Sequence, residues 1–214
     1  MHITKRYTWI VFCALGTLIL GIGILATSGE STKATTTSPD NEIVLTIGEI
    51  DRSALNEGDT LRKAHKYKEA IVAYQKVLDT QGIAQSVRAE AEYDIGLSHA
   101  WLGEFDKAGI IFAGMLTTYK DDPDAIGYTQ FCLAWLEVQK GKYRDAITRL
   151  EGSLVKANIT DQELAAQTQL MIGRTYLLFL NNPVNAQLAF KKVRDKYPDT
   201  RAAKHPYVKP LDEN

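Results

Sequence analysis

The sequence predicts an all-α protein, a right-handed superhelix of about four helical hairpins (an α-solenoid) preceded by one N-terminal transmembrane helix. Three observations predict it. Small and aromatic residues recur at a fixed period from residue 51 onward, helix start and stop signals divide that region into pairs, and an uncharged apolar run precedes it. The 214 residues carry Lys+Arg 25 against Asp+Glu 26 and are 45% hydrophobic and 24% charged. Those proportions exclude collagen-like, disulfide-scaffold and fully disordered chains. Near-balanced charge leaves no electrostatic footprint for a phosphate backbone, so no nucleic-acid partner is expected.

Residues 1–28 read as a membrane anchor or signal segment. Trp9 to Ala26 (WIVFCALGTLILGIGILA) is an apolar stretch of 18 residues, about 27 Å long as a helix and close to the hydrocarbon thickness of a bilayer. His2, Lys5 and Arg6 precede it, and the first charge after it is Glu30. That excess of basic residues predicts a single pass through the inner (cytoplasmic) membrane, N-terminus in, with the remainder on the periplasmic or exported side. A cleaved secretory signal is the alternative, because Ala26-Thr27-Ser28 places small residues where a peptidase inspects and would leave Gly29 first. The run exceeds the usual 7 to 15 residues of a signal core, which favours the anchor; both readings export the domain.

Residues 29–50 read as a linker. Ser28 to Asp40 is polar, Ser/Thr-rich and interrupted by Pro39, a composition that buries too little apolar surface to offset the entropy of ordering. Within Asn41 to Ile50, the alternation of Ile43, Leu45 and Ile47 predicts a short strand, either packed on the first helices or offering an edge for a partner to pair with.

Residues 51–200 hold the repeat. Ala70, Ala108, Ala146 and Ala186 are spaced by 38, 38 and 40, and four residues after each stands Tyr74, Phe112, Leu150 or Phe190. Upstream, Gly58, Gly96, Ala134 and Gly173 are spaced by 38, 38 and 39. Matched small residues let two helices approach closely, and the aromatic one turn later fills the space beside the crossing. Asp122-Pro123 and Asn182-Pro183 each offer an N-cap followed by proline at the first helical place, and Thr160-x-x-Glu163 reads as a capping box. Gly103 and Gly141 fall in turns between paired helices. The expected helices are 53–65, 67–80, 84–102, 105–120, 123–140, 143–157, 161–180 and 183–197.

These residues resemble a tetratricopeptide repeat array, whose pattern is Gly, Tyr three later, then Ala-x3-Phe, then Pro. The period of about 38 exceeds the common 34, which implies roughly one extra helical turn per repeat. Leu61 and Tyr176 suit the Tyr place, whereas His99 and Glu137 depart from it. The segment Ala91 to Phe112 and the ending Phe190 to Thr200 are most similar to bacterial cell-envelope members of the family, of the Tol-Pal coordinator and outer-membrane assembly lipoprotein types. The resemblance implies a membrane-anchored scaffold in envelope assembly or secretion, whose partners are other proteins or peptides of the cell envelope.

Stacked hairpins present an inner face lined by first helices, and such faces bind extended peptides or partner helices. By register, Leu55, Asp59, Tyr93, Leu97, Tyr128, Phe131, Trp135, Leu170 and Arg174 face that groove, with Trp101 and Gln139 near its edge. Tyr93, Leu97 and Trp101 form one stripe at i, i+4, i+8, which reads either as core or as an aromatic binding floor. Arg174 is the only charge between Leu164 and Phe190. It pairs with a carboxylate of a neighbouring repeat or meets a partner's carboxylate. Cys132, in an apolar stretch, reads as a small hydrophobe. The tail, residues 201–214, offers Tyr207, Val208 and Leu211 to cover the apolar end of the fourth repeat; a second copy or a partner is the other way to cover it. A homo-oligomer is therefore the alternative function, as a self-associating structural component. No catalytic motif, cofactor or metal site is recognisable. The four His have no metal-ligand spacing, and Asp121, Asp122 and Asp124 lack the glycine and distal glutamate of a calcium loop.

Overall fold

In the computed structural model, which describes residues 47–156 and 159–209, helices alternate along the chain in pairs. They are α1 (Ile47–Lys63), α2 (Tyr67–Asp79), α3 (Gln85–Trp101), α4 (Phe105–Thr118), α5 (Pro123–Gln139), α6 (Tyr143–Lys156), α7 (Gln162–Leu178) and α8 (Pro183–Lys196). Two single-turn 3-10 segments follow, Ala202–Lys204 and Pro206–Val208. Each first helix is 17 residues long and each second helix 13 or 14. The paired helices pack on each other, each second helix packs on the next first helix, and α1 touches α3, α3 touches α5, and α5 touches α7. The first helices thus form an inner layer and the second helices an outer one.

Every observed helix end lies within two residues of expectation except the start of α1. The strand expected over 41–50 is corrected where it is described: Ile47–Ile50 is the first turn of α1. Ile47, Ile50 and Ala54 also recur at three and four residues, and continuity with the helix decides between the two periods. Residues 41–46, the linker and the expected anchor at 9–26 lie outside the described residues. Among the described residues no helix is long and apolar enough to cross a membrane.

The repeated small residue and aromatic meet as the spacing requires. A Cβ added at Gly58 would stand 2.4 Å from the Tyr74 ring, at Gly96 2.6 Å from Phe112, and at Gly173 2.4 Å from Phe190. Those distances are far inside van der Waals contact, so the three rings lie directly on helix backbone and are fully buried. In the third repeat Ala134 replaces the glycine and Leu150 replaces the ring, and both are again fully buried. The extra methyl and the smaller partner compensate in volume.

Each turn between paired helices contains one residue in the left-handed region: His65 (φ 60), Gly103 (φ 77), Gly141 (φ 74) and Asn181 (φ 48). In the first three, the next backbone N–H donates to the carbonyl five residues back, Lys66 to Leu61, Glu104 to His99 and Lys142 to Glu137, at 2.8–2.9 Å. This is the Schellman closure, which satisfies carbonyls that the helix end leaves open. At the opposite ends, Asp122 accepts from the N–H of Asp124 and Ala125, and Asn182 accepts from that of Asn185. The capping box expected at Thr160 is corrected by one residue. Asp161 caps α7, accepting from Glu163 and Leu164 at 2.8 and 3.1 Å, because the Thr160 hydroxyl is taken by Asp124 Oδ2 at 2.7 Å.

His99 and Glu137, the two departures from the Tyr place, are accommodated by polar partners. His99 Nδ1 lies 2.6 Å from Glu104 Oε2, and Arg149 donates twice to Glu137 Oε1, at 2.9 and 2.7 Å. The middle repeats close with polar pairs where the pattern has an aromatic.

Candidate functional site

The inner layer was the expected groove, and the structure puts most of its aromatic residues into packing. Tyr93, Leu97, Tyr128, Phe131 and Trp135 are between 1 and 7% exposed and belong to one core cluster that runs through the second, third and fourth repeats. Leu55 and Leu170 are equally buried, in the clusters at the two ends. Tyr93 meets Tyr128 edge-on with centroids 6.2 Å apart and lies 6.0 Å from Phe112. Trp101 packs on Trp135 at 6.1 Å. Of the stripe Tyr93, Leu97 and Trp101, only Trp101 keeps part of its surface in solvent. The stripe is therefore core, and a partner touches Tyr93 or Leu97 only if helices separate.

Hydrogen bonds lock the same layer. The Tyr128 hydroxyl donates to Asp161 Oδ2 at 2.7 Å, tying α5 to the residue that caps α7. Asp124 accepts from the N–H of Thr160 and of Asp161, so the start of α5 is pinned to the start of α7. The Cys132 thiol donates to the Tyr93 hydroxyl at 3.3 Å. Burial pushes that thiol up to about 12, which leaves it uncharged and unreactive in the folded state. Cys132 is a small interior hydrophobe, as its apolar neighbours suggested.

Between the first two repeats, the Tyr74 hydroxyl donates to Asp59 Oδ1 at 2.9 Å, and Arg62 Nε donates to Tyr74 at 3.2 Å while facing Asp94 at 3.5 Å. Burial alone disfavours the Arg62 charge, yet Asp94, Tyr74 and Asp59 together hold it above the ordinary guanidinium value. Burial, with Asp94 and Asp59 nearby, also raises the Tyr74 phenol. Asp59, placed by register in the groove, is a member of this network.

Arg174 is partly buried at the end of the array, where its guanidinium sits 5.7 Å over the Tyr207 ring. Burial lowers its proton affinity, and the Tyr207 side chain partly offsets that. Tyr207 in turn stacks on Phe190 at 6.0 Å, and Val208 is fully buried against Phe190 and Val193. Arg194 Nη1 donates to the Val208 carbonyl at 2.6 Å. The tail thus covers the apolar end of the fourth repeat through Tyr207 and Val208, as the sequence allowed; Leu211 lies outside the described residues. It occupies the face on which a second copy would have continued the stack.

Family comparison follows this geometry. Family models described as tetratricopeptide repeat match residues 55–124 and residues 167–200. Both matched stretches are tetratricopeptide repeats. No curated protein matches the chain by sequence. The span between the two matches holds the third repeat, where Ala134, Leu150 and Glu137 replace the pattern's glycine and aromatics. Tetratricopeptide repeats mediate binding to other proteins, and the array is a protein–protein interaction scaffold. Among the described residues no three His, Cys, Asp or Glu are grouped to hold a metal ion.

Sequence reasoning missed the edge formed by the turns between paired helices. Tyr67 stacks on Trp101 (6.2 Å, 11°), Phe105 meets Trp135 edge-on (6.1 Å), and Tyr143 stacks on Phe179 (4.6 Å, 10°). With Trp101 against Trp135, these pairs carry an aromatic row across all four repeats. The signal was present in the sequence as Tyr67, Phe105 and Tyr143 at the same repeat place, but their cross-repeat partners become neighbours only when hairpins stack.

Proposed function

We propose that this protein is a non-catalytic docking scaffold held in the inner membrane by residues 9–26, with its repeats on the exported side. The observation that carries this reading is the union, in one chain, of an 18-residue uncharged run with basic residues before it and an interaction array after it. The anchor restricts diffusion to the membrane, and the array supplies selectivity for envelope proteins or peptides. Asp59, Trp101, Gln139 and Arg174 are the groove-register residues that offer accessible surface to such a partner; the buried aromatics hold the inner layer in the shape the partner meets.

The test is affinity capture of the full-length protein from crosslinked native membranes, with mass spectrometry of its N-terminal peptides and of co-purifying proteins. The reading expects peptides N-terminal to Gly29 to persist and a defined set of envelope proteins to be captured, then lost on Trp101→Ala or Arg174→Ala. Recovery of the protein alone, beginning at Gly29, overturns it.

A further inference from the structure

We propose that the turn edge of the array rests on an anionic lipid surface. Net charge is close to zero, but the turn edge carries a basic excess. At the turn edge Lys63, Lys66, Lys68, Lys142 and Arg144 are exposed. Acidic residues there are fewer: Glu104 and Asp106 are engaged with Lys107 and Lys140, leaving Glu69 and Asp145. The opposite edge is closer to balance, with Asp79, Asp121, Asp122, Asp124, Asp161 and Asp199 against Lys120, Lys196, Arg201 and Lys204. A surface whose basic excess lies along one edge turns that edge toward a negative plane.

The apolar component of this edge is of the matching kind. Tyr67, Phe105 and Tyr143 are partly exposed along the aromatic row, and at the last turn Leu178 and Phe179 are 48% and 45% exposed. Aromatic side chains interleaved with lysines partition to the headgroup region, where rings sit at the interface and ammonium groups meet lipid phosphates. Charge complementarity selects an anionic bilayer over a zwitterionic one.

Chain length permits the contact in an anchored protein. The 20 residues from 27 to 46 reach at most about 70 Å, while α1 is 17 residues, about 25 Å. Either edge of the array is therefore within reach of the membrane that holds residues 9–26, and lipid composition, not tether length, selects the turn edge. The contact itself does not require the anchor.

The experiment uses full-length protein carrying Cys13→Ser, labelled with a fluorophore at Gln139→Cys on the turn edge or at Thr117→Cys on the loop edge. Each is added to vesicles of phosphatidylcholine alone or mixed with phosphatidylglycerol, some bearing a headgroup quencher, and then floated. The proposal expects quenching in anionic vesicles to be several-fold greater at Gln139 than at Thr117. Replacing Lys63, Lys66 and Lys68 by Gln lowers the docked fraction about a hundredfold, at roughly fivefold per lysine. Flotation with both lipids and equal quenching at the two positions overturns this proposal and leaves the anchor standing. Flotation with anionic vesicles only, with Gln139 quenched, supports the edge and removes the anchor. No flotation with either, or quenching that survives the triple Gln change, overturns the edge.

Discussion

Gly96 and Phe112 give the sharpest test of how the repeat is built. A Cβ at residue 96 would lie 2.6, 2.8 and 3.2 Å from three atoms of the Phe112 ring, which is fully buried and has Tyr93 beside it with centroids 6.0 Å apart. Gly96→Ala therefore introduces overpacking, which costs about 3 kcal/mol at the upper end of the usual range. Against that, alanine in a helix interior gains about 1 kcal/mol over glycine, so the net loss is about 2 kcal/mol. Phe112→Leu alone removes ring contacts and costs about 1.5 kcal/mol, a fraction of a full truncation to Ala. The third repeat already contains the combined solution, Ala134 facing Leu150. In the double variant the clash disappears while the helix gain remains, leaving a net loss of about 0.5 kcal/mol. The two changes therefore couple by about 3 kcal/mol, the upper end for residues in contact. Urea unfolding of all four proteins by circular dichroism, compared at unchanged m, measures that coupling. Additivity within about 0.5 kcal/mol would refute the reasoning that glycine at this place exists to admit the ring.

Three further outcomes follow from particular contacts. Tyr128→Phe removes the hydroxyl that donates to Asp161 Oδ2 but leaves Asp161 capping α7 through Oδ1; a loss of about 1 kcal/mol is expected, read as a fall of a few degrees in the melting temperature. Burial, with Arg174 nearby, holds His205 below its ordinary value of 6.5, and its Nδ1 accepts from the Tyr207 N–H at 3.3 Å. The folded state thus binds this proton less readily than the unfolded chain, so His205 contributes stability that is fully present above pH 6.5 and is lost as pH falls through the folded value. Amide protection at Tyr207 and Val208 should weaken over that interval, and an NMR titration placing His205 at or above 6.5 would count against it. In a Cys13→Ser background, Cys132 should resist alkylation at about pH 8 until urea unfolds the chain, because the thiol is buried and pushed up to about 12; rapid modification of the native protein would show that the inner layer opens.

The fold was legible because its cause is local and periodic. Small residues and rings at a 38-residue spacing have one economical explanation, close helix pairs repeated, and proline and aspartate at helix starts set the boundaries to within two residues. Where the reading slipped, a contact distant in sequence decided. Thr160 lost its cap role because Asp124, on the previous inner helix, takes its hydroxyl. Residues 47–50 satisfied both a strand and a helix period, and continuity with α1 chose the helix.

The sequence by itself determined that this chain forms helical hairpins, that four of them follow one another, and that small residues admit rings between them. Only the tertiary structure decided which faces remain open. Register placed Tyr93, Leu97, Tyr128, Phe131 and Trp135 on the inner layer correctly, but exposure depends on how closely neighbouring first helices approach, and here they approach until those side chains are 1 to 7% exposed. It also decided that lysines and aromatic rings share one edge of the array. Residues 38 apart in sequence become neighbours only when hairpins stack, and no local propensity encodes the side on which their charges then collect.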